Sequence, residues 1–141
     1  MARIKIALPE KFPFHTDVRI RVTDVNYAGH LGNDSVLSIV HEARDRWLRS
    51  MGYTELNVEG TSIIMNDAAI VYKSEGYPGE TLVVAVTAGD VHRKGCDVLY
   101  RLTCKEDGRE VARAKTGIVF YDFSEKRMVM VPEGFLKAIG D

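Results

Sequence analysis

The chain has 141 residues, of which 45% are hydrophobic and 28% are charged, the composition of an ordinary globular domain. Its 19 Lys and Arg against 20 Asp and Glu give a net charge of -1, which argues against nucleic-acid binding driven by charge. No apolar run approaches the roughly 18 residues of a membrane span, and the first nine residues contain no signal-peptide core. We therefore expect one cytoplasmic domain over residues 1–141, with no membrane association.

The first predicted element is a strand over residues 17–23. Val18, Ile20 and Val22 alternate with Arg19 and Arg21, and this period of two is typical of a strand that buries one face.

A polar segment over residues 23–35 joins this strand to a long predicted helix. The start of a helix offers unpaired backbone N–H groups and a positive dipole end, which form an oxyanion hole if they point at a carbonyl. Asp24 or His30 could activate a water molecule, and Asn26 could hold a water or a carbonyl. Gly29 and Gly32 would let the backbone approach a substrate closely. An ordinary helix-capping loop has the same composition, so this alternative stays open.

The helix is predicted over residues 33–51 and ends before Gly52. Asn33, Asp34 and Ser35 offer side chains that could cap its start. Its apolar residues, which include Leu37, span about half of the helical circumference, so we expect a sheet to wrap around it.

Charged residues on this helix differ in their expected surroundings. Arg44 falls within the apolar arc, and a buried guanidinium needs an anionic partner, for which we expect Asp67, Asp24 or another carboxylate. Asp67 has a second possible role, in which its carboxylate faces a binding pocket. Glu42 points away from the arc and is expected to be solvated, and His41 lies at its edge.

The rest of the chain reads mainly as strands. Residues 62–73 are apolar on both faces, as in the middle of a sheet, and this pattern also indicates that a partner subunit covers the sheet's other face. Asp107-Gly108 predicts a hairpin turn between two alternating runs. Further strands are predicted at residues 82–88 and 128–131, with a short helix at 132–139. Cys96 and Cys104, expected on one strand about 26 Å apart, cannot form a disulfide.

Two segments resemble a known family. The run Asp24-Val-Asn26-Tyr-Ala-Gly29-His30-Leu-Gly-Asn33, followed by Glu42-Ala-Arg44, resembles hot-dog-fold acyl-CoA thioesterases of the 4-hydroxybenzoyl-CoA thioesterase type. The segment from Tyr72 to Glu80 resembles the strand and turn that precede the third strand in that family.

The resemblance implies an α+β hot-dog fold, in which an antiparallel sheet of five to six strands wraps around one long helix. It also implies a homodimer with joined sheets, which in some members pairs into a dimer of dimers, and sites for acyl-CoA at the subunit interface. Coenzyme A would leave with the reaction, and no metal or other cofactor would be required. Catalytic positions would fall on Asp24, Asn26 and His30, and substrate-binding positions would fall on Tyr27, Gly29, Gly32 and Asn33.

The chain departs from the family pattern at two positions. Asn26 stands where many members have a second aspartate, which is their nucleophile or general base, and Gly32 stands where they have the first of two asparagines. Hydrolysis would then rest on Asp24 or another carboxylate, with Asn26 and His30 orienting the thioester and water. The alternatives are a non-catalytic acyl-CoA-binding protein and a hydratase or dehydratase on the same fold.

Overall fold

The computed structural model describes residues 3–140, which form one six-stranded antiparallel sheet and two α-helices. The strand order is β1-β3-β4-β5-β2, and β6 pairs with β5. In chain order the elements are β1 (Phe14–Arg19), α1 (Asn33–Ser50), β2 (Ser62–Tyr72), β3 (Thr81–Gly89), β4 (Gly95–Cys104), β5 (Glu110–Asp122), β6 (Arg127–Val129) and α2 (Glu133–Gly140). None of the helices in the described part of the chain is long and apolar enough to cross a membrane.

The sheet wraps around α1, as the wide apolar arc predicts. One side of α1 is buried, and alternate residues of β3, β4 and β5 point at it to form the core. α2 closes this core with Phe135, whose ring meets Phe120 at 5.0 Å and Trp47 at 6.1 Å between centroids. Cys96 and Cys104 both lie on β4, both are buried and both are free, as expected.

The start of α1 and the end of β1 differ from the sequence predictions. Gly32 is the N-cap of α1 and no side chain caps the helix, so the predicted capping by Asn33, Asp34 or Ser35 is wrong. β1 ends at Arg19 rather than at residue 23, because the Asp24 carboxylate accepts the N–H of Arg21 and the chain turns into a short 3-10 helix. Val22 and Leu37 were expected to be buried, yet both are exposed.

β2 lies at the edge of the sheet and not in its middle, which corrects the interpretation of its apolar pattern. It pairs with β5 on one side, and its other side pairs with no strand among residues 3–140. An eleven-residue unpaired edge offers its backbone to a further strand.

The outer face of the sheet, on the side opposite α1, is partly covered by the chain's own N-terminal segment, residues 3–12. Arg113 on β5 donates to the Ile6 carbonyl at 3.2 Å, and the Arg101 guanidinium on β4 lies 5.4 Å from the centre of the Phe12 ring. Ile6 is buried there. The sequence predicted that a partner subunit would cover this face and did not foresee the segment's role.

Arg44 is buried, as predicted, but its carboxylate partner is Glu55. Its Nε lies 3.3 Å from Glu55 Oε1, and its Nη1 donates to the Tyr100 hydroxyl at 3.2 Å. The expectation of a carboxylate partner is confirmed, although the partner is neither of the two residues named for it. Asp24 bonds Arg21, and the Asp67 side chain points to the outer face, where it accepts from Lys115 at 2.8 Å. A bulge in β2 between Met65 and Asp67 shifts the register there.

Candidate active site

The segment between β1 and α1 folds into a tight turn. The N–H of Asn26 donates to the His30 carbonyl at 2.8 Å, and the N–H of Gly29 donates to the Asn26 carbonyl at 3.0 Å. Gly29 has φ +83°, a conformation that only glycine adopts without steric cost. Tyr27, at the tip of the turn, is fully exposed. The predicted site residues are therefore held in a loop of defined shape.

The side chain of Asn26 helps to hold this shape. Its Oδ1 accepts the N–H of Ala28 at 3.0 Å and that of His30 at 3.3 Å. An asparagine that bonds its own backbone a few residues on is a common device in turns. The Asn26 carbonyl oxygen is thus engaged by the loop, and its NH₂ group is the part that remains to meet a ligand.

Asp24 is buried beside α1 and is tied to its neighbours by both side chain and backbone. Its Oδ2 accepts the N–H of Arg21 at 2.8 Å and lies 3.4 Å from the Arg21 Nε, and its carbonyl accepts the N–H of Gly32 at 2.9 Å. A surface cavity of about 390 Å³ opens next to it, lined by Val18, Arg19, Arg21, Asp24, Ser38, Ile39, Glu42 and Arg46. Five of its eight lining residues are charged, and Val18 and Ile39 add apolar surface.

The first turn of α1 presents free backbone donors. The N–H of Gly32 is engaged by Asp24, and that of Ser35 bonds the Gly32 carbonyl at 3.0 Å. The N–H groups of Asn33 and Asp34 have no acceptor within residues 3–140. These two donors lie at the positive end of the helix dipole, where a carbonyl oxygen that gains negative charge would be stabilised.

His30 lies against the segment that links β2 to β3. Its Nε2 is 3.4 Å from Glu75 Oε2, and its ring meets the Tyr77 ring edge-on at 5.2 Å between centroids. The Tyr77 hydroxyl donates to the same Glu75 oxygen at 3.1 Å, and this carboxylate raises the pKa of Tyr77. The imidazole is about one-third exposed, so a ligand can reach it.

The remaining candidates lie outside this loop. Glu42 is half exposed, in agreement with the prediction that it is solvated, and its carboxylate accepts from Arg46 at 2.8 Å. It also borders the cavity next to Asp24. His41 is exposed at the edge of the buried face, and its Nε2 lies 3.0 Å from Glu55 Oε1. In residues 3–140, no group of three His, Cys, Asp or Glu side chains is placed to hold a metal ion.

Comparison with known proteins assigns the family. The model of the Thioesterase-like superfamily matches residues 20–139, most of the chain. The chain belongs to this superfamily. A 1,4-dihydroxy-2-naphthoyl-CoA hydrolase from Synechocystis sp. is 26% identical over 133 residues, which cover 91% of this chain and 95% of that protein.

Solved structures agree on the fold. A 1,4-dihydroxy-2-naphthoyl-CoA thioesterase from Synechocystis superposes with a TM-score of 0.83 at 24% identity, covering 91% of this chain and 96% of that one. A Staphylococcus aureus protein solved in complex with CoA superposes with a TM-score of 0.82 at 18% identity, covering 96% of this chain and 86% of that one. The predicted hot-dog fold, family and thioester-hydrolase class are confirmed.

Sequence reasoning missed Glu75, Tyr77 and the groups that hold them next to His30. Glu75 lies 45 positions after His30, so no local spacing connects the two. The only available signal was the resemblance of residues 72–80 to the family, which predicted a strand and turn without assigning a role to any side chain there.

Proposed function

We propose that this thioesterase hydrolyses an acyl-CoA thioester at the N-terminus of α1, releasing the free acid and coenzyme A. The observation that carries this proposal is the pair of free N–H groups on Asn33 and Asp34, next to a loop that holds Asp24, Asn26 and His30. Such donors stabilise the oxyanion that forms when water adds to a thioester carbonyl. The names of the relatives from Synechocystis and the CoA complex of the S. aureus relative support CoA as the leaving group.

In the proposed reaction, the oxygen of water bonds to the thioester carbonyl carbon while its proton passes to a base, Asp24 or His30. The carbonyl oxygen, now negative, accepts from the N–H groups of Asn33 and Asp34. The carbon–sulfur bond then breaks, and the sulfur leaves as the CoA thiol after it receives a proton. The NH₂ group of Asn26 orients the thioester or the water, and Gly29, Gly32 and Tyr27 line the approach. No metal or other cofactor takes part in this scheme.

We also propose that the site is completed by a second copy of the chain, which pairs its β2 edge with that of the first. The unpaired edge of β2 supports this arrangement. Tyr72, at the end of β2, donates to the Asn33 carbonyl at 3.0 Å, so this edge lies beside the proposed oxyanion donors. Such a dimer would bury exposed apolar side chains around the start of α1, namely Val22, Tyr27 and Leu37. Two dimers could pair further.

Light scattering and hydrogen exchange test the dimer. We expect twice the monomer mass in solution, and protection of those β2 amides that do not bond to β5. A monomer, or a dimer whose β2 amides exchange freely, would contradict the proposed pairing of the two β2 edges.

Thiol release from a panel of acyl-CoAs tests the activity. The panel contains straight-chain acyl groups and aromatic ones, including 1,4-dihydroxy-2-naphthoyl-CoA, for which the Synechocystis relative is named. We expect turnover of at least one substrate and its loss in the triple variant Asp24→Ala, Asn26→Ala, His30→Ala. The control Asp45→Asn, which removes an exposed ion pair with Arg49 at the other end of α1, should keep the wild-type rate. Equal rates in the triple variant and the wild type would place the site elsewhere, and thermal stabilisation by acyl-CoA without thiol release would assign binding instead of hydrolysis.

We propose, finally, that residues 1–141 are one domain in the cytoplasm. Shared packing of α1, α2 and β5 around Phe135 supports the single domain, and two free buried thiols are compatible with a reducing compartment. Cell fractionation with an antibody to the chain tests the location, and limited proteolysis that leaves a single resistant fragment tests the domain.

A further inference from the structure

A carboxylate and a histidine from distant parts of the chain meet beside the proposed oxyanion donors. Glu75 Oε2 lies 3.4 Å from His30 Nε2, although the Glu75 side chain is 59% exposed. An exposed glutamate has many rotamers, so a stable contact requires other groups to fix it. The surroundings of Glu75 supply them.

Glu75 is held at its backbone and at its carboxylate. Arg109 donates two hydrogen bonds to the Glu75 carbonyl, at 3.0 and 3.2 Å, and the Tyr77 hydroxyl donates to the Glu75 carboxylate at 3.1 Å. Arg109 is itself fixed by Glu80 and lies 5.6 Å from the centre of the Tyr77 ring. These contacts hold the segment and its carboxylate in one arrangement.

The same segment is fastened to the loop that carries His30. The N–H of Leu31 donates to the Gly76 carbonyl at 2.7 Å. Gly76 is buried, and a Cβ there would lie 2.8 Å from Ile20 Cδ1 and 3.2 Å from Leu31 Cβ, so the two segments touch without space for a side chain. The backbone therefore fixes Glu75 and His30 relative to each other.

We propose that Glu75 is a positioning residue that holds His30 as the general base of the reaction. The inference rests on the proposed function. With Nε2 turned to the Glu75 carboxylate, Nε2 keeps its hydrogen and Nδ1 is left to accept a proton. Water then bonds to the thioester carbon and gives its proton to Nδ1, and the resulting imidazolium returns that proton to the sulfur as the carbon–sulfur bond breaks. Atoms and charge balance, and no further reactant is needed.

This arrangement supplies a base in a loop where residue 26 is an amide. Asn26 cannot accept a proton at neutral pH, and the Asp24 oxygen Oδ2 already bonds the N–H of Arg21. The titratable and charged groups that face the imidazole are Glu75 and Tyr77, with Arg109 beyond the Tyr77 ring. The negative charge nearest to the ring is that of Glu75.

Glu75→Gln tests the proposal, because it keeps the shape of the side chain and removes the charge. We expect kcat to fall about tenfold with KM within about twofold, since general-base catalysis contributes about 10²–10⁴ and the base itself remains. Glu75→Asp should recover part of the rate, and Asp45→Asn, which removes a carboxylate far from the loop, should leave both kcat and KM unchanged.

A second measurement does not depend on turnover. The ring-nitrogen NMR signals of His30, assigned by their loss in His30→Gln, should show the hydrogen on Nε2 in the wild type and a mixture of the two neutral ring forms in Glu75→Gln. The same single ring form in both chains, or a wild-type kcat in Glu75→Gln, would overturn the role of Glu75 while leaving the proposed function intact. A wild-type chain that releases no thiol from any acyl-CoA would overturn the proposed function and with it the catalytic role of the pair.

Discussion

The side-chain oxygen of Asn26 accepts the backbone N–H of His30 at 3.3 Å. The residue that stands where the pattern of the resembled family has an aspartate thus shapes the loop that presents the histidine. An aspartate could accept the same hydrogen bond, so the fold of the loop does not discriminate between the two side chains. The difference between them is chemical, because only the carboxylate can act as a base.

Substitution of Asn26 separates these two contributions. Asn26→Ala removes both acceptor contacts in the turn, and we expect it to lower the free energy of unfolding by about 1 kcal/mol and the hydrolysis rate at least tenfold. Asn26→Asp keeps both contacts, so stability should stay within about 0.5 kcal/mol, but the rate should fall because the NH₂ group that orients the thioester or the water is lost. Urea unfolding and thiol release measure the two effects. An Asn26→Ala chain with wild-type activity would show that the turn does not need this acceptor.

The ion pair between the buried Arg44 and Glu55 leads to a second prediction, which concerns the stability of the fold. Arg44 is only 5% exposed, so Glu55→Gln leaves a charged guanidinium in the core, where removal of one partner costs about 3–5 kcal/mol. Arg44→Met should cost less, about 1–3 kcal/mol, because Glu55 is more exposed and keeps His41 as a neighbour. The double variant should be more stable than the sum of the single losses predicts.

Urea unfolding of the wild type, the two single variants and the double variant completes this double-mutant cycle. The surface pair of Asp45 and Arg49 is its control. Arg49 Nε lies 2.8 Å from Asp45 Oδ2, one helical turn away on the protein surface. Removal of this pair should lower the free energy of unfolding by less than about 1 kcal/mol. If Glu55→Gln were as mild as Asp45→Asn, the buried pair would not stabilise the fold.

The thiol of Cys96 should make the folded state less stable as pH rises into the alkaline range. Burial raises the pKa of its thiol to about 12, with a further contribution from the Asp97 charge. In the unfolded chain a thiol ionises near pH 8.5. Between these values the folded state holds a proton that the unfolded state has lost, so stability is full below about pH 8.5 and falls as pH rises towards about 12.

Unfolding free energies measured from pH 7 to pH 11 check this dependence. The wild type should lose up to about 1.4 kcal/mol per pH unit relative to Cys96→Ala above the unfolded value. The same burial should keep the thiol unreactive towards iodoacetamide at pH 8 until the chain unfolds. Parallel stability curves for the two chains would show that Cys96 does not titrate differently on folding.

Gly95, at the start of β4, lies where the sheet leaves no space for a side chain. A Cβ there would overlap the Ile118 carbonyl on the neighbouring strand. We expect Gly95→Ala to destabilise the fold by more than about 4 kcal/mol and to leave little folded protein. Gly60→Ala is the matched control, since Gly60 has φ +85° but open space, and it should cost about 1–2 kcal/mol. Circular dichroism during thermal unfolding distinguishes the two, and equal melting temperatures would contradict the steric argument.

The elements that depend on local patterns were predictable from the sequence. α1 follows from an apolar arc and the glycine after its last turn, and the β4–β5 hairpin follows from Asp107-Gly108, whose glycine has φ +76°. The apolar pattern of β2 was compatible with either a central or an edge position, because it reports burial and not the partner that provides it. The early end of β1 depends on one carboxylate that bonds Arg21, and no periodicity shows such a bond.

The site was predictable only in part for the same reason. The loop residues are adjacent in sequence, and the resemblance grouped them as a candidate site. Glu75 reaches the loop from the connection between β2 and β3, Arg109 holds Glu75 from the β4–β5 hairpin, and Glu55 reaches Arg44 from the loop after α1. These contacts depend on strand order and register, which the sequence pattern did not specify.

The covering of the outer face by residues 3–12 would limit how the proposed dimers pair with each other. Two sheets stack face to face at a separation of about 10 Å, which leaves room for interdigitated side chains but not for an intervening stretch of backbone. Ile6 and Phe12 occupy that layer here, alongside the charged side chains of Arg101 and Arg113. A tetramer of this protein would therefore associate through its helical surfaces or its sheet margins and not as a stacked sandwich.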